Sequence, residues 1–229
     1  FVNFNILNQI RERFITKLSE HDIDFHCILG NHDVYYRNTN RINSIRELFS
    51  DDINIYEEPV VRNFDGLDIA LVPWINKENY SESVNFIKTA SAPILVGHLE
   101  LDGYQVMRGI NHVGGMNPDI FDRYEKVLSG HFHCRQDRGN IYYLGTQYQI
   151  TFSDLEEKKG FHVLDTDTRD IQFIENPNRM FRRLSYSDHD GPLDIDSLNF
   201  SDMDNCYVRV DVLNKNHPYS FDRYMDKLY

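Results

Sequence analysis

Three stretches of the sequence share one pattern, in which a short apolar run leads into glycine and then into histidine or asparagine–histidine. They are Ile28–Asp33, Ile94–His98 and Val127–His133. Each apolar run predicts a buried strand that ends at the glycine, and a helical pattern before the first strand indicates an α/β layer. Three strand ends that each deliver an imidazole also predict a metal centre.

The length and the charge limit what kind of protein this is. At 229 residues the chain can bury a sizeable core, which predicts one main domain with a smaller piece. The formal net charge of −12 argues against non-specific binding of polyanions by bulk charge. It leaves a nucleic-acid substrate open, because bound divalent cations would reverse the sign of the charge locally.

The cysteines and the apolar runs indicate the cellular setting. Cys27, Cys134 and Cys206 are widely spaced and form no CxxC motif, which favours a reducing compartment. No apolar run has the length of a membrane span, and no signal peptide is visible, so we expect a cytoplasmic protein without membrane contact. Helix-like patterns at Phe1 and at Tyr229 predict a fragment that lacks both natural ends.

Hydrophobic periodicity predicts the remaining elements. Helical patterns cover residues 4–18, 42–49, 81–90, 121–124 and those from 217 onward. Strand patterns cover residues 23–29, 53–56, 60–64, 67–72, 93–96, 127–129, 134–138, 141–144, 161–165, 171–175, 181–186 and 206–213. Asp65-Gly66 and Gly139-Asn140 predict hairpin turns, and the glycine-rich segment 99–118 predicts a loop over the site.

A domain boundary is predicted at Pro177, which divides the chain into a core of residues 1–176 and a partial capping, DNA-binding domain of residues 177–229. Six aspartates follow the boundary in a segment without Lys or Arg: Asp188, Asp190, Asp194, Asp196, Asp202 and Asp204. The segment lacks the central glycine and terminal glutamate of a calcium loop, so we expect a solvated linker.

The candidate metal ligands are the polar residues at the three strand ends. A single cation could take Asn31, His98 and His131, and the amide oxygen points to a catalytic Mn, Fe or Zn ion rather than a structural zinc. His32 and His133 belong to the same constellation. Asp33 is expected to brace the loop or to orient His32, and no obvious carboxylates are available to be shared between two ions.

These residues resemble a known family. Gly30-Asn31-His32-Asp33, Gly97-His98 and Gly130-His131-Phe132-His133 resemble three ordered motifs of the calcineurin-like metallophosphoesterases. Within that superfamily the chain is most similar to the SbcD-type DNA repair nucleases, in particular their T-even-phage recombination endonuclease branch. The resemblance extends over residues 1 to about 186 and includes Leu71–Trp74 and Tyr143–Thr146. It implies an α/β/β/α two-sheet sandwich with flanking helices and part of a small α+β cap.

The resemblance also implies roles for individual residues. Asn31, His98 and His131 would ligate one metal, His133 would help to ligate a second, and His32 with Asp33 would form the catalytic group over the phosphate. The ions would be two divalent cations, Mn first, with Mg, Fe or Zn as alternatives. Two further motifs, Asp-x-His and Gly-Asp-x-x-Asp, would lie before Phe1, so the fragment itself is expected to be impaired.

The resemblance implies a metal-dependent DNA exo- or endonuclease that acts in recombination and repair with an SbcC-like ATPase, in a bacterial or phage-infected cell, with a homodimer as a further hypothesis. Four loop arginines are candidate DNA contacts, with solvated side chains as the equal alternative: Arg37, Arg41, Arg135 and Arg138. The alternative functions are a metallophosphatase on phosphomonoesters or nucleotides, which the acidic charge favours, and a degenerate metallophosphoesterase-fold scaffold.

Overall fold

The computed structural model describes residues 3–229, which form two compact units. The first unit extends to Gly145 and also includes Leu164–Asp170. The second consists of Thr146–Val163 and Ile171–Tyr229. The predicted domain division after residue 176 stays a prediction.

The first unit begins with a helical segment that the sequence predicted over residues 4–18. It runs as α1 (Phe4–Ile10), a π-helical turn (Arg11–Ile15) and α2 (Thr16–Glu20). The Asn3 side chain caps its start, because Oδ1 accepts hydrogen bonds from the N–H groups of Asn5 and Ile6. This prediction is confirmed.

The other elements of the first unit are two helices and ten strands. The helices are α3 (Ser44–Phe49) and α4 (Tyr80–Thr89). The strands are β1 (His26–Ile28), β2 (Asn54–Tyr56), β3 (Val60–Phe64), β4 (Leu67–Val72), β5 (Ile94–His98), β6 (Gln105–Met107), β7 (Ile110–Asn111), β8 (Lys126–Gly130), β9 (Gln136–Arg138) and β10 (Ile141–Tyr143).

A six-stranded mixed sheet in the order β3-β4-β5-β8-β10-β9 forms the centre of this unit. The neighbours β4, β5, β8 and β10 are parallel, whereas β3 and β9 run antiparallel at the two edges. His98 is in register with Gly130, so β5 and β8 end side by side. Parallel strands place their carboxyl ends on one edge of the sheet, which brings the loops after β5 and β8 together.

Different layers cover the two faces of the sheet. On one face, residues such as Val72, Leu95 and Val127 pack with Ile87 of α4. On the other face, Leu67, Ile69, Leu71 and Ile94 pack against side chains of the parallel pair β1–β2. The Phe14 ring in turn meets Phe25, next to β1, edge to face at 5.4 Å. The predicted α/β class is confirmed, and the layers are compatible with a sandwich with flanking helices.

Several predicted bounds are corrected by the structure. The strand expected over residues 23–29 is limited to β1, because its partner β2 offers only three residues for pairing. The loop expected over residues 99–118 contains the short β6–β7 hairpin, and the turn expected at 121–124 is a 3₁₀ turn at Pro118–Phe121. The Asp65-Gly66 hairpin is confirmed, since both residues adopt the positive φ of a type I′ turn.

The second unit contains two strand pairs and one helix. β11 (Gly160–Leu164), whose last residue belongs to the first unit, pairs with β12 (Ile171–Glu175). β13 (Phe181–Ser187) runs parallel to β14 (Tyr207–Asn214), and α5 (Pro218–Leu228) follows. Tyr186, Ile195 and Tyr224 form the core of this part. The elements predicted here are confirmed.

The acidic segment between β13 and β14 differs from the solvated linker that we predicted. Asp188 is only 1% exposed, and its carboxylate accepts hydrogen bonds from the N–H groups of Asn216 and His217, each at 2.6 Å. The Tyr186 hydroxyl donates a third bond at 3.1 Å. Asp188 is therefore a buried anchor for the start of α5.

None of the helices in residues 3–229 is long and apolar enough to cross a bilayer.

Candidate metal centre

The three sequence motifs meet at the carboxyl-end edge of the parallel strands. Asn31, His32 and Asp33 lie in the loop after β1, and His98 is the last residue of β5. His131 follows β8 directly. The strand–glycine–histidine pattern therefore marks three neighbouring loops of the fold.

Three side-chain atoms that each have a lone pair lie near one another at this edge of the sheet. His98 Nε2 lies 2.9 Å from Asn31 Oδ1 and 3.3 Å from His131 Nδ1. Two ligand atoms that each lie about 2.1 Å from one cation are separated by about 3.0 Å at a right angle and about 3.4 Å in a tetrahedron. The two separations measured from His98 Nε2 thus fit the spacing of ligands around a single divalent ion.

Glycine is required where the backbone approaches His98. A Cβ atom added to Gly30 would lie 2.9 Å from His98 Cε1, and one added to Gly130 would lie 3.1 Å from His98 Nδ1. His131 itself adopts a φ of 87°, a conformation that costs an L-residue free energy. The glycines make room for the imidazole of His98, and the strained backbone directs that of His131.

Burial keeps the two central imidazoles neutral. It lowers the pKa of His98 to about 4, and the nearby His131, His32 and His133 act in the same direction. Burial also lowers the pKa of His131, although the Glu100 carboxylate opposes this effect. Neutral imidazoles keep a lone pair available for a cation near neutral pH.

His32, His133 and Asp33 surround this pair in different ways. The side chains of His32 and His133 are exposed, and both lie near enough to act on the pKa of His98 and His131. Asp33 Oδ2 accepts a hydrogen bond from Gly30 N at 2.7 Å, which closes the loop. Burial raises the pKa of Asp33, against the lowering effect of that bond and of His32.

The described residues nevertheless offer few side chains that could bind a metal ion. Within residues 3–229, no group of three or more His, Cys, Asp or Glu side chains is arranged to hold a metal ion. The three atoms described above include the amide oxygen of Asn31, and they are candidate ligands for one cation. The described part of the chain offers no matching set for a second.

Comparison with known proteins gives one informative relative. No protein-family model matches the sequence. The chain is 35% identical over 204 residues to Exonuclease subunit 1 of Enterobacteria phage T4. The two proteins are homologous. The match covers 88% of this chain and 58% of the phage exonuclease subunit, so the chain spans somewhat more than half of that relative's length.

The strand ends that carry the histidines are braced by two side chains to which the sequence analysis assigned no role. Ser129 Oγ accepts a hydrogen bond from Leu99 N at 3.1 Å. The Tyr143 hydroxyl donates to Leu99 O at 2.9 Å and accepts from Leu101 N at 3.2 Å. Tyr143 lies in a predicted strand, but only the fold reveals that its hydroxyl holds the backbone next to His98.

All four candidate DNA-binding arginines are exposed, and Arg41 and Arg138 make contacts within the chain. Arg41 pairs with Glu78, and the Arg138 guanidinium lies 4.9 Å from the ring centroid of Tyr104 while it donates to Gly103 O. Arg37 and Arg135 are exposed. Their DNA contacts stay a prediction.

Proposed function

We propose that this chain contributes the histidine half of the active site of a metal-dependent nuclease of the metallophosphoesterase superfamily. The approach of Asn31 Oδ1 and His131 Nδ1 to His98 Nε2, at 2.9 Å and 3.3 Å, supports this proposal most directly. The homology with a phage exonuclease subunit supports phosphodiester hydrolysis as the reaction.

Asn31, His98 and His131 would hold one divalent ion, and His133 would reach towards a second. Mn is the first candidate for both ions, with Mg, Fe or Zn as alternatives, because a mixed imidazole and amide set suits these cations. When bound, such ions provide Lewis-acid stabilisation of a phosphodiester and lower the pKa of water. Ligands for the second ion must come from carboxylates beyond the cluster described above.

His32 is the proposed catalytic acid. Its imidazole is exposed next to the ligand cluster, where it can donate a hydrogen bond to a phosphate oxygen or a proton to the leaving oxygen. Asp33 holds the loop of His32 through its bond to Gly30 N. We assign Asp33 the task of keeping His32 and Asn31 at a fixed distance from the strand ends.

The proposed substrate is DNA, and the proposed setting is recombination and repair in the cytoplasm of a phage-infected or bacterial cell. The relative is named as a subunit, which supports a partner, and we propose an SbcC-like ATPase in that role, with a homodimer as a further assembly. Because the net charge of −12 repels DNA from the bulk surface, we propose that the cations and loop arginines such as Arg37 and Arg135 provide the attraction for DNA.

Substrate comparison tests the proposal. The protein at its natural length should cleave linear duplex DNA in Mn²⁺ and lose that activity in EDTA. A metallophosphatase would instead hydrolyse a nitrophenyl phosphomonoester and leave DNA intact, and a degenerate scaffold would act on neither. Either of these two results overturns the assignment as a nuclease.

His32→Ala tests the catalytic assignment in the same assay. The variant should bind Mn²⁺ as the wild type does and lose between about 10²-fold and 10⁴-fold in rate, the range expected for a general acid. His21→Ala changes an exposed histidine at the end of α2 and serves as the matched control. Unchanged turnover of His32→Ala would rule out the assigned role.

A further inference from the structure

The indole of Trp74 lies against the candidate metal ligands. Its ring centroid is 5.3 Å from that of His131 with an angle of 30° between the planes, which is a stacked pair. The centroid of His98 is 6.0 Å away at 78°, which is an edge-on contact. One side chain therefore contacts both imidazoles that converge at the centre.

Trp74 is held in place through its backbone. Its N–H donates to Leu29 O at 2.7 Å, immediately before the Gly30-Asn31-His32-Asp33 motif. Its carbonyl oxygen accepts hydrogen bonds from the side-chain amides of Asn40 and Asn79, each at 3.1 Å. The position of the indole is thus fixed relative to the loop that carries Asn31.

Asn40 joins this anchor to a wider polar network. It is buried, its Oδ1 accepts from Asn76 Nδ2 at 2.9 Å, and its Nδ2 also donates to Glu57 O at 3.2 Å. Its carbonyl accepts from Asn43 Nδ2 at 3.0 Å. Buried amides that are fully paired rigidify their surroundings, and leaving one unpaired destabilises the fold.

Trp74 does not fill the apolar interior. It belongs to neither of the two hydrophobic clusters described for the first unit. His131, in contrast, has a strained backbone and a ring surrounded by Trp74, His98 and Phe132. The indole is the neighbour that lies most nearly parallel to this imidazole, so it restricts rotation of the ring about its bonds.

We propose that Trp74, anchored by Asn40 and Asn79, is a positioning residue that fixes the imidazole of His131 for metal binding. This inference rests on the proposed function, because His131 is a ligand only if the centre binds a cation. Residues that orient metal ligands from outside the coordination sphere contribute about 10-fold to 100-fold to metal affinity.

The first experiment measures Mn²⁺ affinity of the 229-residue chain by calorimetry. Trp74→Leu should weaken binding about tenfold, and Trp74→Phe should restore part of the loss because a ring is present again. Tyr219→Leu, an exposed aromatic near the start of α5 in the second unit, is the matched control and should leave the affinity unchanged. Equal affinity of wild type and Trp74→Leu would overturn the proposal, as would a loss explained by unfolding in circular dichroism.

A second measurement is independent of metal. The chain has one tryptophan, so its fluorescence reports on Trp74 alone. His131→Ala and Asn40→Ala should each change the emission and raise its quenching by acrylamide, whereas His189→Ala should change neither. If the wild type fails to bind Mn²⁺ while these fluorescence changes occur, the proposed function fails and the stacking contact stands. If fluorescence is identical in all variants, the positioning role is wrong.

Discussion

At the scale of single residues, the space around His98 is the most demanding feature of the centre. Gly30 lies so close to this imidazole that any β-carbon at position 30 would meet His98 Cε1 at 2.9 Å and Asp33 Oδ2 at 3.3 Å. The neighbours are the candidate ligand His98 and the carboxylate of Asp33 that closes the loop. If either side chain moved, Asn31 Oδ1 and His131 Nδ1 would no longer lie close to His98 Nε2.

Gly30→Ala should therefore disrupt the centre. We expect a loss of about 1–3 kcal/mol in the free energy of unfolding, as for other overpacked sites, together with loss of Mn²⁺ binding. Urea unfolding and calorimetry measure the two effects. Gly139→Asn is the control, since a β-carbon there meets nothing within 4 Å and asparagine tolerates the positive φ. A Gly30→Ala variant with normal metal affinity would show that His98 is free to shift.

A local sequence pattern predicted some residues of the candidate centre and gave no signal for others. The strand–glycine–histidine pattern located Asn31, His98 and His131, because strand ends are a local signal and parallel strands bring such ends together. Asn40 gave no such signal, and Trp74 entered only as part of the Leu71–Trp74 resemblance. The two residues meet across 34 positions of the chain, so only the fold shows that they are joined. The predicted roles of the candidate metal ligands, of His32 with Asp33 and of the four arginines all stay predictions.

At the scale of elements, local periodicity predicted the type of most helices and strands, while their bounds depend on partners. β1 is shorter than its apolar pattern because β2 limits the pairing. For the acidic segment after β13, the prediction of a solvated linker was wrong at Asp188. Its charges suggested solvent along its whole length, yet Asp188 is buried where three hydrogen-bond donors surround its carboxylate.

Asp188 predicts a specific pH dependence. Burial acts to raise the pKa of Asp188, but the N–H groups of Asn216 and His217 outweigh it and hold the pKa below its usual range. A depressed carboxyl pKa stabilises the folded state above the ordinary pKa of about 3.9, and this stabilisation is lost as the pH falls through the folded-state value. Asp188→Asn should therefore lower the melting temperature at pH 7.

The difference between wild type and Asp188→Asn should shrink as the pH falls towards 3, because the wild-type carboxyl is then becoming protonated as well. Thermal unfolding followed by circular dichroism between pH 3 and pH 7 measures this. The exposed Asp190 gives the matched control, and Asp190→Asn should melt like the wild type at every pH. A constant difference across the whole range would show that the charge of Asp188 does not stabilise α5.

At the scale of the whole molecule, the distribution of ligands decides how many cations the chain holds. Asn31, His98 and His131 offer one candidate set of ligand atoms, and no group of three or more His, Cys, Asp or Glu side chains within residues 3–229 is arranged to hold an ion. With a net charge of −12, weak cation binding elsewhere on the surface is expected, but it is screened by salt. A specific site keeps its affinity when exposed charges are screened.

Titration of the 229-residue chain with Mn²⁺ in 0.15 M salt should therefore show at most one tight site. His98→Ala should abolish it, because this residue is the one that both other ligand atoms approach. His189→Ala, which removes an exposed imidazole of the second unit, should leave the isotherm unchanged. With one ion and without shared carboxylates, the chain should also be nearly inactive on DNA. Two tight sites would mean that the described residues supply the ligands of both ions, and the proposed division of the centre would be wrong.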